Sequence, residues 1–208
     1  MKNQTYNSVL NKQSIKMIIM KAFVFIAFIS LSNSKSNYMP NLPLGEYRIV
    51  FEKMYSCESM NVFQYYFYFS KTTLTKTELK GNYTFLIPFD DTYTFDLNVA
   101  SWGSTGGWKP NSMVYIAKNG CSTFKKVMGN VWYTVVKAFN ITSYDCPIQA
   151  GTHMTNGIDL KELDNFNMPK VYFYGKYKVT FKIRNEEKNV FGCIVLEITL
   201  IRPWEKPF

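Results

Sequence analysis

Catalysis needs activated groups within reach of one another, and this chain offers few. His153 is its only imidazole, placed directly after Gly151-Thr152. A single histidine leaves little room for a His-rich metal site or a Ser-His-Asp relay, so it reads as a structural or exposed residue. Asp90 and Asp91 are adjacent, and adjacent residues of an extended chain point to opposite faces, which suits turn formation better than an acid/base pair. Ser104-Thr105-Gly106-Gly107 lacks the lysine of a phosphate-binding loop and precedes no suitable helix, so it reads as a turn or bulge. The expectation is a non-enzyme with no catalytic residue, no metal and no cofactor.

Cys57, Cys121, Cys146 and Cys193 carry the remaining covalent chemistry. No Cys-x-x-Cys spacing is present, which excludes a zinc ribbon or a thioredoxin-like site. An even number of cysteines in an oxidising compartment points to two disulfides, and three connectivities are open.

Apolar surface is abundant. The chain has 17 Phe, 15 Tyr and 4 Trp among 208 residues, with aromatics at 17% and hydrophobic residues at 47%. That composition affords a real core and excludes wholesale disorder. Tyr65-Tyr66-Phe67-Tyr68-Phe69 puts rings on both faces of one strand, and Trp102 and Trp108 flank the Gly-rich turn. Such residues either fill a core or line a cavity between two splayed sheets, since ligand pockets are mostly apolar with a few polar anchors.

The elements that would position them are mainly strands. Tyr93, Phe95, Leu97 and Val99 alternate with polar residues, as do Tyr177, Val179, Phe181 and Ile183. Ile194, Leu196, Ile198 and Leu200 share one face of the run 191–201. Period-two alternation marks strands with one dry face and one wet face. Further strands are read at 46–55, 63–70, 74–87 with a bend near Gly81, 112–117 and 171–174, with a hairpin turn at 185–188. About eight strands form an antiparallel β-sandwich or β-cup. One segment differs: Phe124, Val127, Met128, Val131, Trp132, Val135, Val136 and Phe139 follow helical spacing. It predicts one amphipathic helix over 122–139 with Ser122 as its N-cap.

The N-terminus has its own logic. Lys2, Lys12, Lys16 and Lys21 lie in the first 34 residues, which contain no acid; taking these four from the net +9 leaves +5 for the rest. The uninterrupted apolar run from Ala22 to Ile29 falls far short of the ~20 residues that span a bilayer. A basic flank, a short apolar run and small residues after it predict a signal peptide over 1–34, cleaved near Ser34 to Ser36, with one domain over 35–208. The alternative is an uncleaved interfacial or anchoring helix. Asn82-Tyr-Thr84 and Asn140-Ile-Thr142 are glycosylation sequons and agree with secretion. The residual charge is diffuse, which excludes nucleic acid as a partner and is compatible with an anionic membrane surface.

Three segments carry a family resemblance. Asp145-Cys146-Pro147-Ile148-Gln149-Ala150-Gly151-Thr152, Gly175-Lys176-Tyr177-Lys178-Val179 and Gly192-Cys193-Ile194-Val195 resemble, in order and spacing, the corresponding segments of the ganglioside activator and its secreted insect relatives, a group that includes chemosensory proteins. These belong to the MD-2-related lipid-recognition (ML) superfamily, and the resemblance covers roughly Gly45 to Pro203. It implies a β-cup of two antiparallel sheets around a lipid cavity, and disulfides Cys57–Cys193 and Cys121–Cys146. It also implies a non-enzymatic role in binding or presenting lipids. The ganglioside activator has additional cysteine pairs near its cavity mouth, which are lacking here, where 122–139 occupies that region.

The resulting expectation is a secreted, extracellular protein, with the lysosomal lumen as the alternative compartment. It carries or presents a lipid or other hydrophobic small molecule, and a membrane surface or a receptor is a further partner. Tyr93, Phe95, Leu97, Tyr177, Val179, Phe181, Ile194, Leu196 and Ile198 are expected to form the cavity wall. Phe124, Met128, Trp132 and Trp108 are expected nearer its mouth, where methionine and broad rings repack around a chain. The alternative function is a secreted receptor-binding or protein-interaction module with a filled core.

Overall fold

Alternating strands with one apolar face must bury that face against something, and here they bury it against each other. The computed structural model describes residues 42–57, 62–73 and 76–206; the expected signal peptide lies outside the described residues. Ten strands occur among them. They are β1 (Leu44–Glu46), β2 (Arg48–Ser56), β3 (Phe63–Lys71), β4 (Thr77–Phe85) and β5 (Thr94–Trp102). After these come β6 (Trp108–Ala117), β7 (Gly151–Asp159), β8 (Val171–Phe173), β9 (Gly175–Arg184) and β10 (Val190–Ile201).

β1 and β8 form a two-stranded antiparallel sheet. The other eight form one sheet in the order β6-β5-β9-β10-β3-β4-β7, with β2 also paired to β10. The β10–β3 link is a single parallel pair, Gly192 with Phe63, whereas every other neighbour pairs over a long antiparallel register. At that link the sheet turns back on itself. The half β6-β5-β9-β10-β2 then faces the half β3-β4-β7, which is the expected sandwich or cup. A β-bulge between Glu197 and Ile198 lets both Phe51 and Met54 of β2 point inward.

Two of the ten strands exceed the expected eight for identifiable reasons. The segment expected at 46–55 is split at Tyr47, with β1 pairing elsewhere. β7 carries no apolar alternation because residues paired to the inner row of β4 include Gly151, His153 and Thr155. The bend expected near Gly81 is the register shift between Leu79 and Gly81.

The expected single helix is two: α1 (Gly120–Met128) and α2 (Val131–Ala138). Gly129 breaks it, at φ +57, a conformation that favours glycine. A Cβ there would lie 3.0 Å from that of Asn167. Asn167 closes the end of α1, its backbone N–H donating to the Val127 carbonyl at 3.1 Å and its side-chain amide to the Lys126 carbonyl at 3.2 Å. Ser122 is not the N-cap; Asn119 holds that position, without a side-chain capping bond. Ser122 sits in the first turn, where its N–H and hydroxyl donate to the Asp91 carboxylate at 2.8 and 2.6 Å. The loop therefore supplies the anion that a helix N-terminus favours. Asp90 accepts from the Thr92 N–H and hydroxyl, an Asx turn, so the two acids serve the chain reversal.

The cysteines pair as Cys57–Cys193 and Cys121–Cys146, with Cα atoms 5.3 and 6.0 Å apart. The first joins the end of β2 to β10; the second joins the start of α1 to the segment preceding β7.

Gly192 is the tightest point of the fold. A Cβ on it would stand 2.7 Å from the Cβ of Phe63, an atom fixed to the β3 backbone. Gly192→Ala is expected to destabilise by about 1–3 kcal/mol, the range for overpacking. Urea unfolding measures it; unchanged stability would show that the two halves are not held at this contact.

Candidate functional site

The inner faces of the two halves are rich in rings. Phe63, Tyr65, Phe67 and Phe69 of β3 alternate inward, while Tyr66 and Tyr68 point out and are exposed. Opposite them, β5, β9 and β10 present Phe95, Phe181, Ile183, Ile194 and Leu196. α1 and α2 close one side with Phe124, Met128, Trp132, Val135, Val136 and Phe139. These surfaces do not fill the space between them. A cavity of about 150 Å³ remains, and none of its lining residues carries a charge. A second cavity of about 90 Å³, equally free of charged residues, lies toward β1 and β8, lined in part by Tyr47, Tyr172, Met168 and Pro169. Phe51, Met128, Phe166, Phe181 and Leu196 line both, so these five side chains form the partition.

Eleven of the thirteen residues singled out from sequence line one or both cavities. Phe95, Phe124, Trp132 and Ile194 border the larger, and Leu97, Tyr177, Val179 and Ile198 the smaller. Met128, Phe181 and Leu196 border both.

Tyr93 and Trp108 border neither and are corrections. Tyr93 precedes β5 and is packed into an aromatic knot with Phe63, Phe89 and Phe191 at centroid distances of 5.4–6.0 Å. Trp108 opens β6, sits edge-on to Trp102 at 5.1 Å, and takes the Lys178 ammonium over its ring at 4.5 Å. β9 turns its lysines outward, so Trp108 belongs to the outer face. Trp132 lines the cavity but not as a mouth residue: it is 1% exposed, and its indole N–H donates to the Tyr144 carbonyl at 2.8 Å.

Several lining residues fall outside the expected wall and mouth. Tyr65, Phe67 and Phe69 belong to the run whose rings were expected either to fill a core or to line a cavity, and Tyr66 and Tyr68 between them mask its period of two. Phe166 and Met168 lie in the connection to β8, where no periodicity marks an inward residue.

The polar features of the larger cavity are few. Tyr65 and Tyr83 pair directly across β3 and β4, and both line it. Burial pushes both phenols well above their ordinary pKa, and at Tyr65 the neighbouring Tyr83 adds to the shift. His153 stacks on Tyr83 at 5.0 Å. Among the described residues no group of His, Cys, Asp or Glu is arranged to hold a metal, and no helix is long and apolar enough to cross a membrane.

A cup of two sheet halves, closed by helices around uncharged space, defines a protein built to enclose apolar matter. The ML domain family model matches residues 64–200, and the chain belongs to that family. It is a lipid-binding, non-catalytic domain family, and its members are typical of extracellular proteins. No curated protein matches the chain.

The two tryptophans are expected to separate in effect. Trp132→Ala removes a buried ring and leaves the Tyr144 carbonyl unpaired, for a loss of about 3–5 kcal/mol. Trp108→Ala removes a surface cation–π contact, for about 1 kcal/mol. Urea denaturation of both variants checks the ordering, and equal losses would contradict the placement of Trp132.

Proposed function

We propose that this protein is a secreted, non-enzymatic carrier that holds a lipid or other hydrophobic small molecule inside the cup. The observation that carries this reading is the charge-free, ring-lined space between the two sheet halves. Burying acyl carbons contributes about 0.8 kcal/mol per CH₂, so a chain needs no charged anchor. The larger cavity takes the first part of such a chain. Rotation of Met128, an unbranched and adaptable side chain at the partition, opens the way to the smaller one. The competing reading, a receptor-binding module, was expected to have a filled core, and two internal cavities count against that premise. A membrane surface or a receptor is the proposed delivery partner.

Secretion is part of the same proposal. Both disulfides suit an oxidising compartment. Asn140 is exposed just after α2, and Asn82 lies on the outer side of β4, level with the exposed Tyr66 and Met154. Expression in a secretory host is expected to yield a product beginning near Lys35 to Asn37, with glycan on Asn82 or Asn140. N-terminal and glycopeptide sequencing decide this; unglycosylated cytosolic protein retaining Met1 would refute it.

The carrier reading is tested by native mass spectrometry of the secreted protein. The expected spectrum shows one co-purifying lipid, and delipidated protein is expected to bind one fluorescent fatty-acid probe. Met128→Trp places an indole at the partition and is expected to weaken the probe by about ten-fold or more, with melting preserved within a few degrees. Folded wild-type protein that takes up neither probe nor vesicle lipid would overturn the carrier function.

A further inference from the structure

A strand at the end of a sheet leaves half of its backbone N–H and C=O groups unpaired, and proteins normally blunt such edges. β6 stands at one end of the strand order and pairs only with β5 among the described residues. Its first half is blunted. Lys109 and Pro110 are exposed there, and proline has no N–H to offer a neighbour. Asn111 is at φ +59, and the register with β5 shifts between Val99 and Ser101. The Asn111 side chain accepts from the Asn98 amide at 2.6 Å, and the Ser112 and Ser101 hydroxyls bond at 2.7 Å, which ties this stretch to β5. At the other end of the order, β7 is interrupted by Gly157 at φ +141 and runs into the 3₁₀ helix Leu160–Leu163.

The second half of β6 has none of these devices. Residues 113–117 pair with β5 in unbroken register and include no Gly, Pro or charged residue. Val114, Tyr115 and Ile116 are 49%, 40% and 62% exposed. Consecutive strand residues point to opposite faces, so this edge is apolar and bare on both. Val114 and Ile116 lie in the outer row, and Tyr115 shares the inner row with Met113, which lines the smaller cavity. An edge of this kind is a template for another strand.

The side chains select the strand. No charged residue lies between Lys109 and Lys118. Antiparallel pairing with a second copy, about a two-fold axis at Tyr115, sets Val114 opposite the partner's Ile116 and Met113 opposite the partner's Ala117. Tyr115 meets its own counterpart. Lys118 then faces the partner's Ser112, and no lysine faces a lysine. An axis at Ile116 would set Val114 against a lysine, and one at Val114 would set Ile116 against a serine, so the chain is best matched to itself about Tyr115.

We propose that the free half of β6 is a self-recognition edge, at which two copies of the chain pair antiparallel and join their β6-β5-β9-β10-β2 halves into one continuous sheet. Backbone hydrogen bonds supply the attraction, and the Val–Ile and Tyr–Tyr pairs set the register. Val114, Tyr115 and Ile116 border neither cavity, so this inference stands independently of the carrier reading.

The test is sedimentation velocity of the secreted wild-type chain over a concentration series, beside Ile116→Lys, Val114→Lys and the control Met154→Lys. Met154 is as exposed as Ile116, at 65%, but lies on β7. Wild type is expected to pass from monomer to dimer as concentration rises. Each β6 lysine enters the interface twice and faces an apolar residue, so it is expected to raise the dimer dissociation constant by about ten-fold or more. Both sites are exposed, so melting is expected to hold within a few degrees, and Val114→Lys serves if Ile116→Lys misfolds. Met154→Lys is expected to dimerise like wild type. Tyr115→Cys is expected to give a covalent dimer on mild oxidation, since facing strand residues have Cα atoms about 4.5–5.5 Å apart. Wild type that stays monomeric throughout would leave the edge to solvent or to a strand of another protein and would overturn the self-pairing. A dimer that both β6 lysines leave intact, one that Met154→Lys weakens equally, or one without a covalent form in Tyr115→Cys would overturn it as well.

Discussion

The contact between Gly192 and Phe63 is the constraint on which the cup depends. Two sheet halves with matching apolar faces would ordinarily close until their side chains interdigitated. Here they join along one edge only, through a single parallel pair, and only a residue without a Cβ lets the backbones come so near. Phe63 is fully buried at this edge, with Phe85, Phe89, Tyr93 and Phe191 around it. The knot is dense at the joined edge and the interior is open beyond it. That gradient explains why Tyr93, inward by its alternation, reaches no cavity.

The unjoined side is held by other means. α1 and α2 lie over it and Cys121–Cys146 closes a 25-residue separation around them, while Cys57–Cys193, beside Gly192 at the joined edge, spans 136 residues to fasten β2 to β10. In the chain-entropy model these loops are worth about 3.5 and 5 kcal/mol. Such staples make an unfilled interior tolerable, because stability lost to missing van der Waals contacts is offset by constraints on the unfolded chain. The break at Gly129 matters in the same way. A continuous helix would present one straight face; two short ones, pinned by Asn167 and Asp91, place Met128 at the partition and Trp132 in the wall of the larger cavity.

What was legible in the sequence follows from this arrangement. β5, β9 and β10 face the interior on one side and solvent on the other, so alternation exposed them and eight of the wall residues they carry. The helical period of 122–139 was equally clear, but a period says which face is apolar and not where a glycine will turn the axis. β7 was illegible because its inner row carries Gly151, His153 and Thr155, a polar seam beside the cavity. Trp108 misled because aromatic character does not distinguish an inner face from an outer one that packs lysine stems. Phe166 and Met168 gave no signal, since chain without regular structure has no period to read.

The same alternation that builds the cavity also settles where the charge goes. On β9, Lys176, Lys178 and Lys182 project outward between the inward Tyr177, Val179 and Phe181. Lys176 pairs with Glu52 and approaches Glu197 at 3.7 Å, and Arg184 pairs with Asp96 at 2.8 Å. Burial works against ionisation of Glu52, but its bonds to Lys176 and Thr199 outweigh that and hold its carboxyl below the usual range. These charges find their partners on the outer face, and none of the residues lining the two cavities is charged. The uncharged interior and the charged outer face are thus two consequences of one period-two pattern, read from opposite sides of the same strands.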